Sequence, residues 1–174
     1  MALELRDLRP DDEAAFAAAH AELAAEDFPF GLGYQPGMRW SDYLAGLGAQ
    51  RSGRDLRTTR MVPHTFLVAE VDGELVGRTS IRHSLNEFLA HEGGHIGYGV
   101  LRGHRRRGYA TEILRQSLDH ARQLGVDRAL VTCDDDNVGS ATVIERCGGV
   151  LENVISETES GHPKRRYWID LATW

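Results

Sequence analysis

A strand-like stretch, HIGYGVL at 95–101, leads through an arginine-rich loop into the helical pattern GYATEILRQSLDHARQLG at 108–125, which gives way to a second apolar strand, RALVTC at 128–133. Along that helix Ala110, Ile113, Leu114, Ser117, Leu118, Ala121 and Leu124 fall on one face, and Gly125 supplies the stop. Strand, helix and strand in this order make a βαβ unit, whose two strands lie parallel with a right-handed crossover. Such a unit restricts the chain to folds in which a helix covers a sheet and a loop stands open at the strand end.

The remaining segments fit around that unit. LELRDL (3–8) reads as an edge strand, Pro10 and Asp11 as a helix start, and 12–26 as a helix with Phe16 and Leu23 on one side. FPFGLGYQPG (28–37) is a loop whose aromatics either pack it or line a pocket, and WSDYLAGLGA (40–49) is a helix in spite of Gly46 and Gly48. HTFLVAEV, then Asp72-Gly73, then ELVGRTSIRHSL gives a hairpin, because Asp-Gly supplies the positive φ angles that a two-residue turn needs. After RALVTC follow a polar loop, DDDN, a short helix, SATVIERCG, and closing strands near VLENVIS and RRYWIDL. The expectation is a mixed α/β domain around a single sheet, with residues 1–174 forming one domain.

Composition excludes several functions. Acidic residues outnumber basic ones by 26 to 20, a formal net charge of -6, which would repel a long polyanion and makes nucleic acid an unlikely partner. No run of about 18 apolar residues is present to span a bilayer, and the opening MALELRDLRPDDE is too charged for a secretion signal, so the expected location is cytoplasmic with no membrane partner. Cys133 and Cys147 fit two buried thiols in a reducing compartment. No metal is expected: the histidines lack ligand spacing on a helix, and in the acidic run Asp134–Asn137 an apolar Val138 occupies the fifth position of a calcium loop. Whether the protein works as a homodimer is not readable from the sequence.

Against this acidic background, HRRRGYAT at 104–111 gathers Arg105, Arg106 and Arg107 immediately before Gly108, with Arg102 close by. A loop entering a helix presents free N–H groups and the positive end of the helix dipole, and Gly108 lets the backbone approach a ligand closely. A phosphate or pyrophosphate is the economical guest. Gly103 and Gly108 have Walker A spacing, but Tyr109 and Ala110 hold the Lys and Ser/Thr positions, and Gly97, Gly99 and Gly103 miss the dinucleotide fingerprint.

RRRGYA, Arg105 to Ala110, resembles the Q/R-x-x-G-x-G/A pyrophosphate loop of the GNAT superfamily, the Gcn5-related N-acetyltransferases. The likeness continues in order through HIGYGVL, the helix from Gly108, RALVTC and the Asn-headed DNVGSATVIERCGG, covering roughly residues 64–150. It implies an acyl-CoA N-acyltransferase fold: a mostly antiparallel sheet with a central, splayed parallel strand pair. Acetyl-coenzyme A would be the co-substrate, its pantetheine arm beside Tyr98, Gly99, Val100 and Asn137, its pyrophosphate on the amides of Arg105, Arg106, Arg107, Gly108, Tyr109, Ala110 and Thr111. Asn137 is equally suited to cap a helix.

The implied reaction is direct attack by a primary amine on the thioester, without metal, with N–H groups stabilising the developing oxyanion. The acceptor would be a small-molecule or peptide amine. At the position of the family's glutamate base stands His95, which either takes the amine's proton or serves as a hydrogen-bonded strand histidine; Glu92 and His91 lie just upstream. Ile144 occupies the usual place of the tyrosine acid, leaving Tyr98, Ser140, Cys147 or water to protonate the thiolate. A non-catalytic acetyl-coenzyme A sensor is the alternative reading.

Overall fold

Asp72 and Gly73 take φ values of 55° and 83° and reverse the chain between β2 (His64–Val71) and β3 (Glu74–Arg82), as the sequence predicts. In the computed structural model, which describes residues 2–58 and 60–174, this hairpin is the middle of an antiparallel sheet ordered β1–β2–β3–β4, with β1 at Glu4–Arg6 and β4 at Ile96–Val100. A second antiparallel sheet runs β5–β7–β6, from β5 (Arg128–Asp134), β6 (Val150–Ile155) and β7 (Lys164–Asp170).

The expected single sheet is therefore two, and His95 shows why. Its N–H donates to the Leu130 carbonyl at 2.7 Å, the start of a ladder between β4 and β5. The Leu130 N–H, however, donates to the ring Nδ1 of His95 at 2.9 Å, so a side chain fills the next rung and no backbone ladder forms between the two strands. Gly94 makes this close approach possible. It sits at φ 66° and ψ -178°, and a Cβ there would lie 2.7 Å from the Leu130 oxygen.

Each face of the first sheet is covered by helices. Helix α3 (Tyr109–Gln123) lays Leu114 and Leu118, both fully buried, against Leu67, Ile81 and Ile96; burying a side chain of this size contributes about 1.5–3 kcal/mol. Leu124, expected on the same face, caps the C-terminus of α3 instead and is 44% exposed, because the helix ends before its position turns inward. On the opposite face α1 (Glu13–Ala24) and α2 (Trp40–Arg51) bring Phe16, Leu23, Trp40 and Tyr43 over Phe66 and Val68. Phe16 is the hub, its ring 5.2–5.4 Å from those of Phe30, Tyr34, Trp40 and Tyr43. The aromatics of the 28–37 loop thus mainly pack, with Phe28 the exception described below. Helix α4 (Val138–Arg146) follows β5, and a single π-helical turn at Leu89–Gly93 leads into β4. Among the described residues no helix is long and apolar enough to cross a membrane.

Candidate active site

The loop before α3 is shaped by two left-handed residues. Arg106 at φ 60° and Gly108 at φ 83° alternate with ordinary neighbours, turning successive N–H groups to one side as in an anion-binding nest. Among the described residues, none of the N–H groups from Arg106 to Thr111 finds a protein acceptor; the first intrahelical bond runs from Glu112 to the Gly108 carbonyl. The Arg105 N–H, expected in this set, is turned back to the Arg102 carbonyl at 3.3 Å.

The arginines divide into two pairs. Glu26, just past the end of α1, accepts from Arg105 Nη2 at 2.5 Å and Arg102 Nε at 2.5 Å, while Glu22 takes the Arg102 N–H. Arg105 first and Arg102 second hold the Glu26 carboxyl down to about 2, so it stays ionised throughout the neutral range. Two of the four guanidiniums are thereby neutralised within the protein. Arg106 and Arg107 are exposed and join no ion pair among the described residues. Local spacing does not reveal that Glu22 and Glu26 moor this loop, since they lie some 80 positions away.

This loop forms one end of a cavity of about 800 Å³ between β4 and the end of β5. Tyr98, Gly99, Val100, Arg105, Arg106, Gly108, Tyr109, Ala110, Thr111 and Asn137 all line it; Arg107 does not. On β4 the pairing alternates. The Leu101 N–H bonds Val76 and the Arg82 N–H bonds the His95 carbonyl, so by register Gly97 and Gly99 direct their backbone groups to β3, and Tyr98 and Val100 direct theirs toward the cavity. Val100 illustrates this: its carbonyl accepts from Arg105 Nε at 3.0 Å. Gly99 therefore contributes space rather than hydrogen bonds. A Cβ there would meet the Phe28 ring at 2.6 Å, and Phe28 is the cavity's aromatic wall.

Across the cavity floor, Tyr98 Oη and Ser140 Oγ on α4 are 2.9 Å apart. Burial pushes the Tyr98 phenol above its usual range, so it stays protonated. Asn137 accepts the Ser140 N–H at 3.0 Å through its side-chain oxygen, confirming it as the α4 cap while it also faces the cavity. Both thiols are buried, and the Cys147 sulfur lies 3.7 Å from the Thr111 carbonyl.

His95 is not part of this lining, and its ring is committed elsewhere. Accepting the Leu130 N–H requires a bare Nδ1, which places the neutral ring's proton on Nε2 and leaves no free lone pair to receive another. Burial, helped by the Arg82 charge, pushes the imidazole down to about 4. Of the two readings drawn from the sequence, this geometry favours the hydrogen-bonded strand histidine. A pH effect follows from the sign of the shift. The unfolded chain binds the proton first, so the stability that neutral His95 contributes is complete above pH 6.5 and lost as pH falls toward 4, on the order of 2–3 kcal/mol. Urea titrations should show a shallower acid limb for His95→Gln than for wild type.

A second cavity, of about 670 Å³, lies between the π turn and the loop joining β6 to β7, lined by Arg60, Glu87, His91, Glu92, Glu157 and Glu159 among others. Glu92 is only 5% exposed, and one carboxylate oxygen accepts the Glu159 N–H at 2.9 Å. His91 donates from Nε2 to the Glu157 carbonyl at 2.7 Å. Among the described residues no group of three His, Cys, Asp or Glu side chains is placed to hold a metal ion.

The family described as acetyltransferase (GNAT) domain matches residues 2–150. The chain belongs to the GNAT acetyltransferase family. Solved structures agree on the fold of this GNAT enzyme. RimJ of Mycobacterium smegmatis in complex with CoA-disulfide superposes with a TM-score of 0.71 at 22% identity, covering 98% of this chain and 83% of the other. A putative acetyltransferase of Salmonella typhimurium, yncA, with its cofactor acetyl-CoA, gives 0.65 at 15% identity over 98% and 95%. A Salmonella typhimurium acetyl transferase that modifies the N-terminal serine of a ribosomal subunit protein gives 0.70 at 19% over 97% and 94%. No curated protein matches this GNAT chain in sequence. The enzyme is an acetyltransferase.

Proposed function

We propose that the cavity between β4 and β5 binds acetyl-coenzyme A for transfer of its acetyl group to a primary amine by direct attack. The observation that carries this reading is the run of unpaired N–H groups from Arg106 to Thr111 opening on that cavity, a ready site for a pyrophosphate. Relatives crystallised with acetyl-CoA or CoA support it. In this reading β4 and β5 run parallel and part beyond His95, the pantetheine arm lies between them, and the outward N–H groups of Tyr98 and Val100 face the thioester.

The amine nitrogen forms the new bond to the carbonyl carbon, the oxygen gathers negative charge against the Tyr98 and Val100 N–H groups, and the C–S bond breaks to release thiolate. In this reading the acceptor's proton passes to Glu92, whose buried carboxylate lies just before β4, since the His95 ring has no lone pair to take it. A phenol raised by burial is a weaker acid than a thiol, so Tyr98 steadies the departing thiolate by donating a hydrogen bond, and water supplies the proton. Removing one hydrogen bond to a charged group costs about 1.5–3 kcal/mol, so Tyr98→Phe should lower kcat about tenfold or more while acetyl-coenzyme A affinity holds.

Thiol release measured over a panel of amines, beside calorimetric titration with acetyl-coenzyme A, tests the whole reading. Binding with amine-dependent thiol release is the expected result. Binding with no release from any amine would leave a sensor in place of an enzyme.

A further inference from the structure

One face of the first sheet carries more positive charge than the protein neutralises. Arg78 is 3% exposed and gives its three nitrogens to the carbonyls of Phe30, Gly97 and Pro29 at 3.0, 3.0 and 2.6 Å, with the Phe28 ring 4.4 Å from its centre. Arg82, two residues along on the same face, makes a single long contact of 3.4 Å to the Gly93 carbonyl. Neither joins an ion pair with any described residue, and the two charges oppose one another. A buried guanidinium without an anion is costly, and one anion nearby would relieve both.

The two guanidiniums close on Gly97: the strand is partly exposed there, and a Cβ on it would stand 3.3 Å from Arg82 Nη1 and 3.8 Å from Arg78 Nη1, so both charges border a position that carries no side chain. Ser80 stands directly opposite Gly97 in register, on the same face as both arginines. Among the described residues its hydroxyl oxygen is fully buried and has no partner. His64, opposite Arg82 on β2, likewise holds a buried Nε2 with no partner among them. The arrangement is a polar socket with its charge and two of its hydrogen-bonding atoms unmet.

The residue before Gly93 is Glu92, whose carboxylate faces the second cavity and forms no ion pair among the described residues. A carboxylate and a guanidinium therefore flank one turn without meeting each other, which complements an ammonium and a carboxylate held a few atoms apart. We propose that the acceptor is an amino carboxylate, whose carboxylate sits on Arg82 over Gly97 with the Ser80 hydroxyl behind it, presenting its amine to the thioester beside Tyr98. This deepens the acetyl-transfer reading and rests on it.

Free amino acids and their carboxamides, tested side by side as acceptors with acetyl-coenzyme A, read the socket directly. The acids should exceed the amides in kcat/KM by at least about tenfold, because a site built for a polar partner rejects the analogue that lacks it. Arg82→Gln should erase that preference and Arg82→Lys should keep part of it, with the acetyl-coenzyme A titration unchanged in both. Equal use of acids and amides, or a preference that survives Arg82→Gln, would overturn the proposal. So would an Arg82-dependent preference for succinyl-coenzyme A over acetyl-coenzyme A, which would assign the carboxylate to the donor. If acetyl-coenzyme A binds but no amine reacts, the acetyl-transfer reading fails, and the socket is judged without turnover. N-acetylalanine, but not its amide, should then raise the Tm of the wild-type coenzyme A complex and not that of Arg82→Gln; no shift sinks the socket as well.

Discussion

Gly94→Ala is expected to destabilise the protein by about 3 kcal/mol or more, the sum of a backbone conformation open only to glycine and a collision with a neighbouring strand. At φ 66° and ψ -178° an alanine is strained whatever surrounds it, and its Cβ would stand 2.7 Å from the Leu130 oxygen, a backbone atom that cannot swing aside. Relief requires the chain entering β4 to move away from β5. With a urea slope of about 1–3 kcal/mol/M, the midpoint should fall by about 1–3 M. Gly103→Ala is the control, since nothing lies within 4 Å of its Cβ position and its φ is not positive; it should stay within about 0.5 kcal/mol of wild type. An unmoved midpoint for Gly94→Ala would contradict the junction described here.

Gly108→Val is expected to weaken acetyl-coenzyme A binding about five- to thirtyfold in calorimetric titration. Its Cβ position is empty for 4 Å around, so no clash is involved. The penalty is conformational: at φ 83° a β-branched residue costs about 1–2 kcal/mol, and the loop relaxes by turning N–H groups out of the fan from Arg106 to Thr111. Gly108→Asn should do less harm, because asparagine enters the left-handed region more readily. Titration heats equal to wild type for the valine variant would remove the pyrophosphate assignment.

Much of the fold could be read before any coordinates, and for identifiable reasons. Asp72-Gly73 dictates its turn locally, and the α3 face follows from helical spacing of Ile113, Leu114, Leu118 and Ala121, so short-range rules suffice. The turn into α3 was legible for the same reason: Arg106, Gly108 and the first turn of the helix are consecutive. What escaped depends on residues far apart in the chain. Glu26 reaches Arg102 and Arg105, Phe28 fills the space over Gly99, and Tyr98 meets Ser140, none of which spacing can announce. His95 was read by its chemistry, but its Nδ1 had already been assigned to the Leu130 amide by the path of β5. Arg78 and Arg82 passed as ordinary alternating strand residues, because a missing counter-ion is visible only once every neighbour is known.

The imidazole on the Leu130 amide has one more effect. Two bare strand margins set side by side tend to zip along their whole length, and here that would erase the cavity between β4 and β5. By plugging the rung beyond the first, the ring acts as a doorstop. The cavity is therefore standing open before any ligand arrives, and on the proposed reading little of the donor's binding energy is diverted into prising the strands apart.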